Sequence, residues 1–109
     1  MEFSLSHTRG MAATAVSNEP VGVDVENIPD FSARYGQDAR KVTAMLGKIA
    51  SPEERADGDA ASLLYLWSGK ESLFKARRHG SFAPRALRFG EETEHWVIAL
   101  EPPVISSLV

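Results

Sequence analysis

Apolar residues recur at helical spacing in one long segment, where Leu63, Leu64, Trp67, Leu73 and Phe74 fall at intervals of three, four and seven. The pattern predicts a helix over about 60–79. Asp59 can cap its start, Arg77, Arg78 and His79 place cations at the negative end of the dipole, and Gly80 is set to stop it. A second amphipathic helix over about 38–50 follows from Ala39, Val42, Met45, Leu46 and Ile49 on one face, with Lys41 and Lys48 outward. Between the two, Ser51-Pro52-Glu53-Glu54 is a helix-start signature. Ser51 can cap, Pro52 suits the first helical position, and Glu54 closes a capping box.

Period-two alternation marks the rest. Phe3 and Leu5 share one side of residues 2–6, residues 11–17 form a second short run, and Arg9-Gly10 offers the turn between them. After the turn signal Ser17-Asn18-Glu19-Pro20, Val21, Val23 and Val25 fall on one face while Gly22, Asp24 and Glu26 fall on the other. Three short strands in meander order are expected. Residues 31–36 read as a connecting loop, and residues 86–89 and 95–100 as two further strands around a turn at 90–93. Pro102-Pro103 is expected to end the pairing. The expected fold is a single α+β domain over 1–109, a short antiparallel sheet packed against the long helix and the second helix.

Two constellations carry chemistry. On the long helix Trp67, Glu71 and Lys75 are successive i, i+4 neighbours, so an acid and a base share one stripe with an aromatic ring. Taken alone the pair also fits a surface ion pair. On the strand, Asp24 and Glu26 point to one side about 7 Å apart, a spacing that one hydrated divalent cation can bridge. Alone, they fit a solvated strand face better.

Composition narrows the partners. The 109 residues carry a net charge of −3, with 43% hydrophobic and 25% charged residues, values of an ordinary globular domain rather than a disordered chain. That balance argues against binding nucleic acid or anionic membrane through bulk charge. The absence of cysteine excludes a disulfide framework and a thiolate metal site. No run approaches the roughly 20 apolar residues of a membrane span, and the first residues lack a basic region followed by an apolar stretch. The expectation is a soluble, cytoplasmic protein.

Three stretches taken together resemble the 4′-phosphopantetheinyl transferases, and they occur in that superfamily's order. Phe3-Ser4-Leu5-Ser6-His7-Thr8 is similar to its Ser-His-Ser/Thr motif. Val21-Gly22-Val23-Asp24-Val25-Glu26 resembles its Gly-(Ile/Val)-Asp-(Ile/Val)-Glu strand. Trp67-Ser68-Gly69-Lys70-Glu71-Ser72-Leu73-Phe74-Lys75 matches Trp-x-x-Lys-Glu-(Ala/Ser)-x-x-Lys. The Asp-x-Glu form resembles the C-terminal half of the two-lobed, surfactin-activating type more than the small trimeric holo-acyl-carrier-protein synthases. The chain departs from the pattern at Ser4, where the family usually has Asn. It departs again after Lys75, where Ala76-Arg77-Arg78-His79-Gly80-Ser81 replaces a Gly-x-Gly turn.

The resemblance implies Mg²⁺-dependent transfer of the 4′-phosphopantetheine arm of coenzyme A to a serine of an acyl or peptidyl carrier protein, releasing adenosine 3′,5′-bisphosphate. It places the protein in fatty acid, polyketide or nonribosomal peptide biosynthesis. Asp24, Glu26 and Glu71 would be the Mg²⁺ carboxylates, hard oxygen donors that suit this ion. Glu71, or a metal-bound water, would take the serine proton, and Lys75 would neutralise phosphate oxygen. Ser6, His7, Lys75 and Lys70 would contact coenzyme A, with a phosphate favouring His7 as a cation. Read singly, His7 fits a turn histidine, Lys70 a solvated or supporting charge, and Trp67 and Phe74 core positions. Arg77, Arg78 and His79 either serve the helix dipole or face an acidic carrier protein.

Because the resemblance covers one lobe, a second copy in a homodimer or homotrimer is expected to supply the rest of the cleft. Two alternatives stand beside it. One is a catalytically weak lobe that binds coenzyme A or a carrier protein and needs a partner lobe, and the other is an ordinary α+β domain whose acids are solvated.

Overall fold

The computed structural model describes residues 1–51, 54, 59–77, 82–87, 94–101 and 103–109. In chain order it contains β1 (Glu2–Thr8), β2 (Met11–Ser17), β3 (Val23–Asn27) and α1 (Ile28–Phe31), the last running into a π-helical turn at Ser32–Gly36. Then come α2 (Ala39–Ile49), α3 (Ala60–Arg77), a 3-10 turn at Pro84–Ala86, β4 (Trp96–Leu100) and β5 (Val104–Leu108). Helices on one side of a small antiparallel sheet make this an α+β fold, as the alternation of helical and strand periods predicts. Among the described residues no helix is long and apolar enough to cross a membrane.

Local signals set the helix starts. Asp38 Oδ1 accepts from the backbone N–H of Arg40 at 2.8 Å to open α2, and Asp59 Oδ1 accepts from that of Ser62 at 2.7 Å to open α3. Asn27 caps α1 by accepting from Asp30 N–H at 3.0 Å. Of the expected capping box, the reciprocal half is present. Glu54 Oε1 accepts from Ser51 N–H at 2.9 Å, while Ser51 Oγ is buried without a partner among the described residues. Residues 78–80, assigned to the end of the long helix, lie outside the described residues, as do Pro52 and Glu53.

The apolar stripes of α2 and α3 meet in one core. Val42, Leu46 and Ile49 pack with Leu63 and Leu64, joined by Phe31 and Ile105. Each such side chain contributes about 1.5–3 kcal/mol relative to exposure. The opposite side of α3 is not solvated. Ser68, Gly69, Ser72 and Leu73 are buried as well, on a helix that β3 and β5 cover, and Lys70 is buried against Glu54, Pro84 and Leu87.

The strands depart from the expected meander. β1 and β2 form a separate hairpin, in register from Glu2 opposite Ser17 to Thr8 opposite Met11, turned by Gly10 at φ 89°. β3 pairs instead with β5, in a three-stranded sheet ordered β3-β5-β4. The N–H groups of Val23 and Val25 point away from β5 and still need acceptors. Ser4 Oγ and Ser6 Oγ supply them, at 3.1 and 3.0 Å. Hydroxyls on β1 therefore do what a backbone ladder would have done.

That arrangement decides which side of β1 is covered. Phe3 and Leu5 stay 57% and 60% exposed, while Ser4 and Ser6 are buried against β3. Two further expectations fail at the C-terminal end. Ala86 belongs to a 3-10 turn rather than a strand, and Leu87 is irregular; residues 88–93 lie outside the description. Pairing does not end at Pro103 either. β5 follows it and forms the middle of the sheet, its Ser106 and Ser107 having masked a buried strand. Residues 31–36, read as a loop, are helical.

Candidate active-site cleft

Backbone packing brings the chemistry together. Gly22 lies so close to α3 that β3 crosses the helix at Ser72, setting Asp24 and Glu26 beside Glu71 and Lys75. β1 lies on the other side of β3 and contributes Ser6 and His7. These six residues line one cleft of about 620 Å³. The stripe read from helical spacing is present, with Trp67, Glu71 and Lys75 all facing this space.

The carboxylates are crowded and partly desolvated. Burial pushes Asp24 up, against the opposing pull of the Ser68 hydroxyl, then of Lys75, Glu26 and Ser6. Its Oδ2 is buried with no hydrogen-bond partner among the described residues. Glu26 is pushed up to about 7 by burial first, then by the charge of and a hydrogen bond with Asp24, with Trp67 opposing and Glu71 adding to the rise. Glu71 is raised by burial and by Asp24, with Lys75 opposing. All three acids are thus held in a state that a cation would relieve.

Lys75 is half-anchored already. Its Nζ donates to the carbonyls of Val23 at 3.0 Å and Leu5 at 3.2 Å, and stands 3.8 Å from Asp24 Oδ1. One ammonium on α3 therefore holds both strands and keeps its charge toward the acids.

Lys70 is placed elsewhere. Fully buried, its Nζ donates to Glu54 Oε1 at 2.5 Å, Pro84 O at 2.7 Å and Leu87 O at 2.9 Å, so each of its three N–H donors is used. Burial alone would raise Glu54, but hydrogen bonds with Lys70 and Ser51 outweigh it and hold its carboxyl below the usual range. Lys70 is a supporting charge, not a solvated one, and it does not line the cleft. Its direction differs from that of Glu71 because adjacent helical residues point about 100° apart.

Phe31 and Tyr35 carried no motif. Phe31, Tyr35 and Trp67 form an aromatic wall, with ring centroids 5.0 Å apart for the first pair and 6.4 Å for the second. Trp67 is thus both core contact and cleft wall, and Phe74 packs on Phe82 at 5.3 Å. Arg9, Asp30 and Arg34 also reach the cleft. The one sequence signal for Arg9 was its position in the turn after Ser6-His7.

The donor set fits a hard divalent cation, since carboxylate oxygens are what Mg²⁺ prefers and Asp24 Oδ2 has no hydrogen-bond partner among the described residues. Among the described residues no three His, Cys, Asp or Glu side chains close into a preformed cage. An ion here would complete its shell with water and substrate oxygens, as Mg²⁺ commonly does.

The sequence model of the 4′-phosphopantetheinyl transferase superfamily matches residues 20–100. Enterobactin synthase component D of Escherichia coli O157:H7 is 42% identical over 76 residues, 67% of this chain and 34% of that protein. 4′-Phosphopantetheinyl transferase psf-1 of Bacillus pumilus is 29% identical over 97 residues, covering 84% of this chain and 40% of the relative. 4′-Phosphopantetheinyl transferase gsp of Aneurinibacillus migulanus is 26% identical over 84 residues, 77% and 34% of the two chains. The chain spans from about a third to two fifths of the length of these relatives.

Proposed function

Because the chain belongs to the 4′-phosphopantetheinyl transferase superfamily, we propose that it transfers the phosphopantetheine arm of coenzyme A to a serine of an acyl or peptidyl carrier protein, using Mg²⁺. The observation that carries this reading is the convergence of Asp24, Glu26, Glu71 and Lys75, from two elements far apart in sequence, on the cleft that also receives Ser6 and His7.

In this reading Asp24, Glu26 and Glu71 hold the ion, which when bound neutralises charge on the pyrophosphate and orients it. The serine Oγ attacks the pyrophosphate phosphorus that bears the pantetheine arm. The P–O bond to the adenosine-bearing phosphate breaks, and adenosine 3′,5′-bisphosphate leaves. Glu71 accepts the serine proton. Lys75 turns its charge from Asp24 toward the phosphate oxygens as they become more negative. Ser6 and His7 hold a phosphate of coenzyme A. The Trp67–Tyr35 wall excludes water from one side of the reacting centre.

The rest of the cleft comes from a second copy, in a homodimer or homotrimer. The apolar surface that Phe3, Leu5 and Val16 leave exposed on the hairpin supports such a contact.

The test is intact mass spectrometry of a panel of apo acyl and peptidyl carrier proteins incubated with this protein, coenzyme A and Mg²⁺, with and without chelator. The expected result is a gain of one phosphopantetheine arm that chelator abolishes. No gain on any carrier, beside a working transferase, overturns the reading in favour of a lobe that binds coenzyme A or carrier without turning it over.

A further inference from the structure

Gly22 packs on the backbone of Ser72 and Ala76. Further toward the start of α3, Trp67 stands beside Glu26. β3 therefore runs antiparallel to α3 along one seam. Two residues of strand cover about 7 Å and four residues of helix about 6 Å. Counted from the contact between Gly22 and Ser72, that step puts Asp24 over Ser68.

Ser68 is fully buried and Asp24 is 5% exposed. Each keeps one oxygen, Ser68 Oγ and Asp24 Oδ2, with no hydrogen-bond partner among the described residues. Neighbouring donors are committed elsewhere. Ser72 Oγ donates to the Ser68 carbonyl at 2.7 Å, and Lys75 Nζ donates to the carbonyls of Leu5 and Val23. Across the strand pair stands Ser107, the register partner of Asp24, also fully buried and with its hydroxyl unpartnered among the described residues. A donor and an acceptor left over on one buried seam satisfy each other, whereas apart each carries the desolvation cost of an unmade bond. Of the two serines it is Ser68 that acts on the carboxylate: against the burial that raises Asp24, its hydroxyl is the strongest opposing group.

Resting on the transferase reading above, we propose that Ser68 is a positioning residue whose hydroxyl donates to the Asp24 carboxylate and fixes its orientation in the cleft. Oδ1 then stays toward Lys75, 3.8 Å from its Nζ. An ionised carboxylate offers about four lone-pair sites, so this bond leaves room for an ion. Ser68 itself touches neither ion nor substrate. Hydrogen bonds that orient a metal-binding side chain in this way are worth about 10- to 100-fold in metal affinity.

Calorimetric titration of the full chain with Mg²⁺ alone tests this without turnover. Ser68→Ala weakens Mg²⁺ binding about tenfold, Ser68→Cys, which keeps the volume but is a weak donor, weakens it nearly as far, and Ser107→Ala stays within about twofold of the parent. Parent-like affinity in Ser68→Ala, recovery in Ser68→Cys, or a greater loss in Ser107→Ala overturns the assignment. A second measurement needs no metal. In chelator, Ser68→Ala lowers the urea midpoint of the parent protein but not that of Asp24→Ala, because the two groups act as a pair. Equal shifts in both backgrounds overturn the assignment even where the parent binds no Mg²⁺. Absence of carrier modification alone sinks the transferase reading and leaves both measurements standing.

Discussion

A Cβ on Gly22 would stand 1.8 Å from the carbonyl oxygen of Ser72. No flexible side chain can yield there, because the obstacle is helix backbone. The strand and the helix therefore touch main chain to main chain. Asp24, two residues along the strand, and Glu71, the residue before Ser72, meet across the cleft as a result. Contact between a residue early in the chain and one late in it is what turns two separate motifs into a site.

Gly22→Ala must push β3 off α3 or distort both. The expected cost is about 3 kcal/mol, at the upper end for overpacking, with transfer activity lost alongside. Urea denaturation measures it, and a wild-type midpoint would show that the close approach is not obligatory.

Neutralising an acid should separate activity from stability. In Asp24→Asn or Glu71→Gln, transfer falls by about 10³-fold, since charge stabilisation at the reacting centre is lost. The thermal midpoint stays level or rises, because burial raises both groups, with the charge of Asp24 adding to the rise of Glu71, and the neutral amide escapes that cost. Full transfer in either variant removes that residue from the metal set.

The same crowding sets a pH dependence. Glu26 is raised from 4.5 to about 7, so the folded state keeps a proton that the unfolded chain has released. Its stabilising contribution is complete below about 4.5 and is lost as pH rises through about 7. Without metal, the protein loses thermal stability across that window relative to Glu26→Gln. An ion held by the proposed carboxylates would compete with the proton, so added Mg²⁺ is expected to stabilise most above neutrality, by about 2.7 kcal/mol at a hundredfold excess over its dissociation constant. Parallel profiles for the protein and Glu26→Gln in chelator contradict this account.

Lys70→Met should act on the fold instead. It leaves the Glu54 carboxylate and the carbonyls of Pro84 and Leu87 without their donor, at a cost of about 3 kcal/mol. Coenzyme A affinity of the folded protein stays unchanged. An affinity loss with intact stability would return Lys70 to the substrate site.

The helices were legible because their signals are local. Val42, Leu46, Ile49, Leu63 and Leu64 repeat at helical spacing, and Asp38 and Asp59 sit where an N-cap is needed. Helical hydrogen bonds run between near neighbours, so a window of sequence contains the cause. The stripe of Trp67, Glu71 and Lys75 was readable for the same reason. The strand of β1 was legible but its facing was not: Phe3 and Leu5 share one side, and that side is the exposed one because β3 recruits Ser4 and Ser6 as hydrogen-bond acceptors. Nothing in residues 2–8 announces a strand elsewhere with unsatisfied N–H groups.

Sequence by itself thus determined the two longer helices α2 and α3, the turn at Gly10, the α+β class and, through three motifs, the family. Tertiary structure alone decided that β3 pairs with β5, that Lys70 faces a buried knot while its neighbour Glu71 faces the cleft, and that Arg9 meets Asp30. The reason is range. Periodicity and capping are settled within a few residues, whereas strand partners and ion pairs between distant residues depend on which surfaces the packed core leaves side by side.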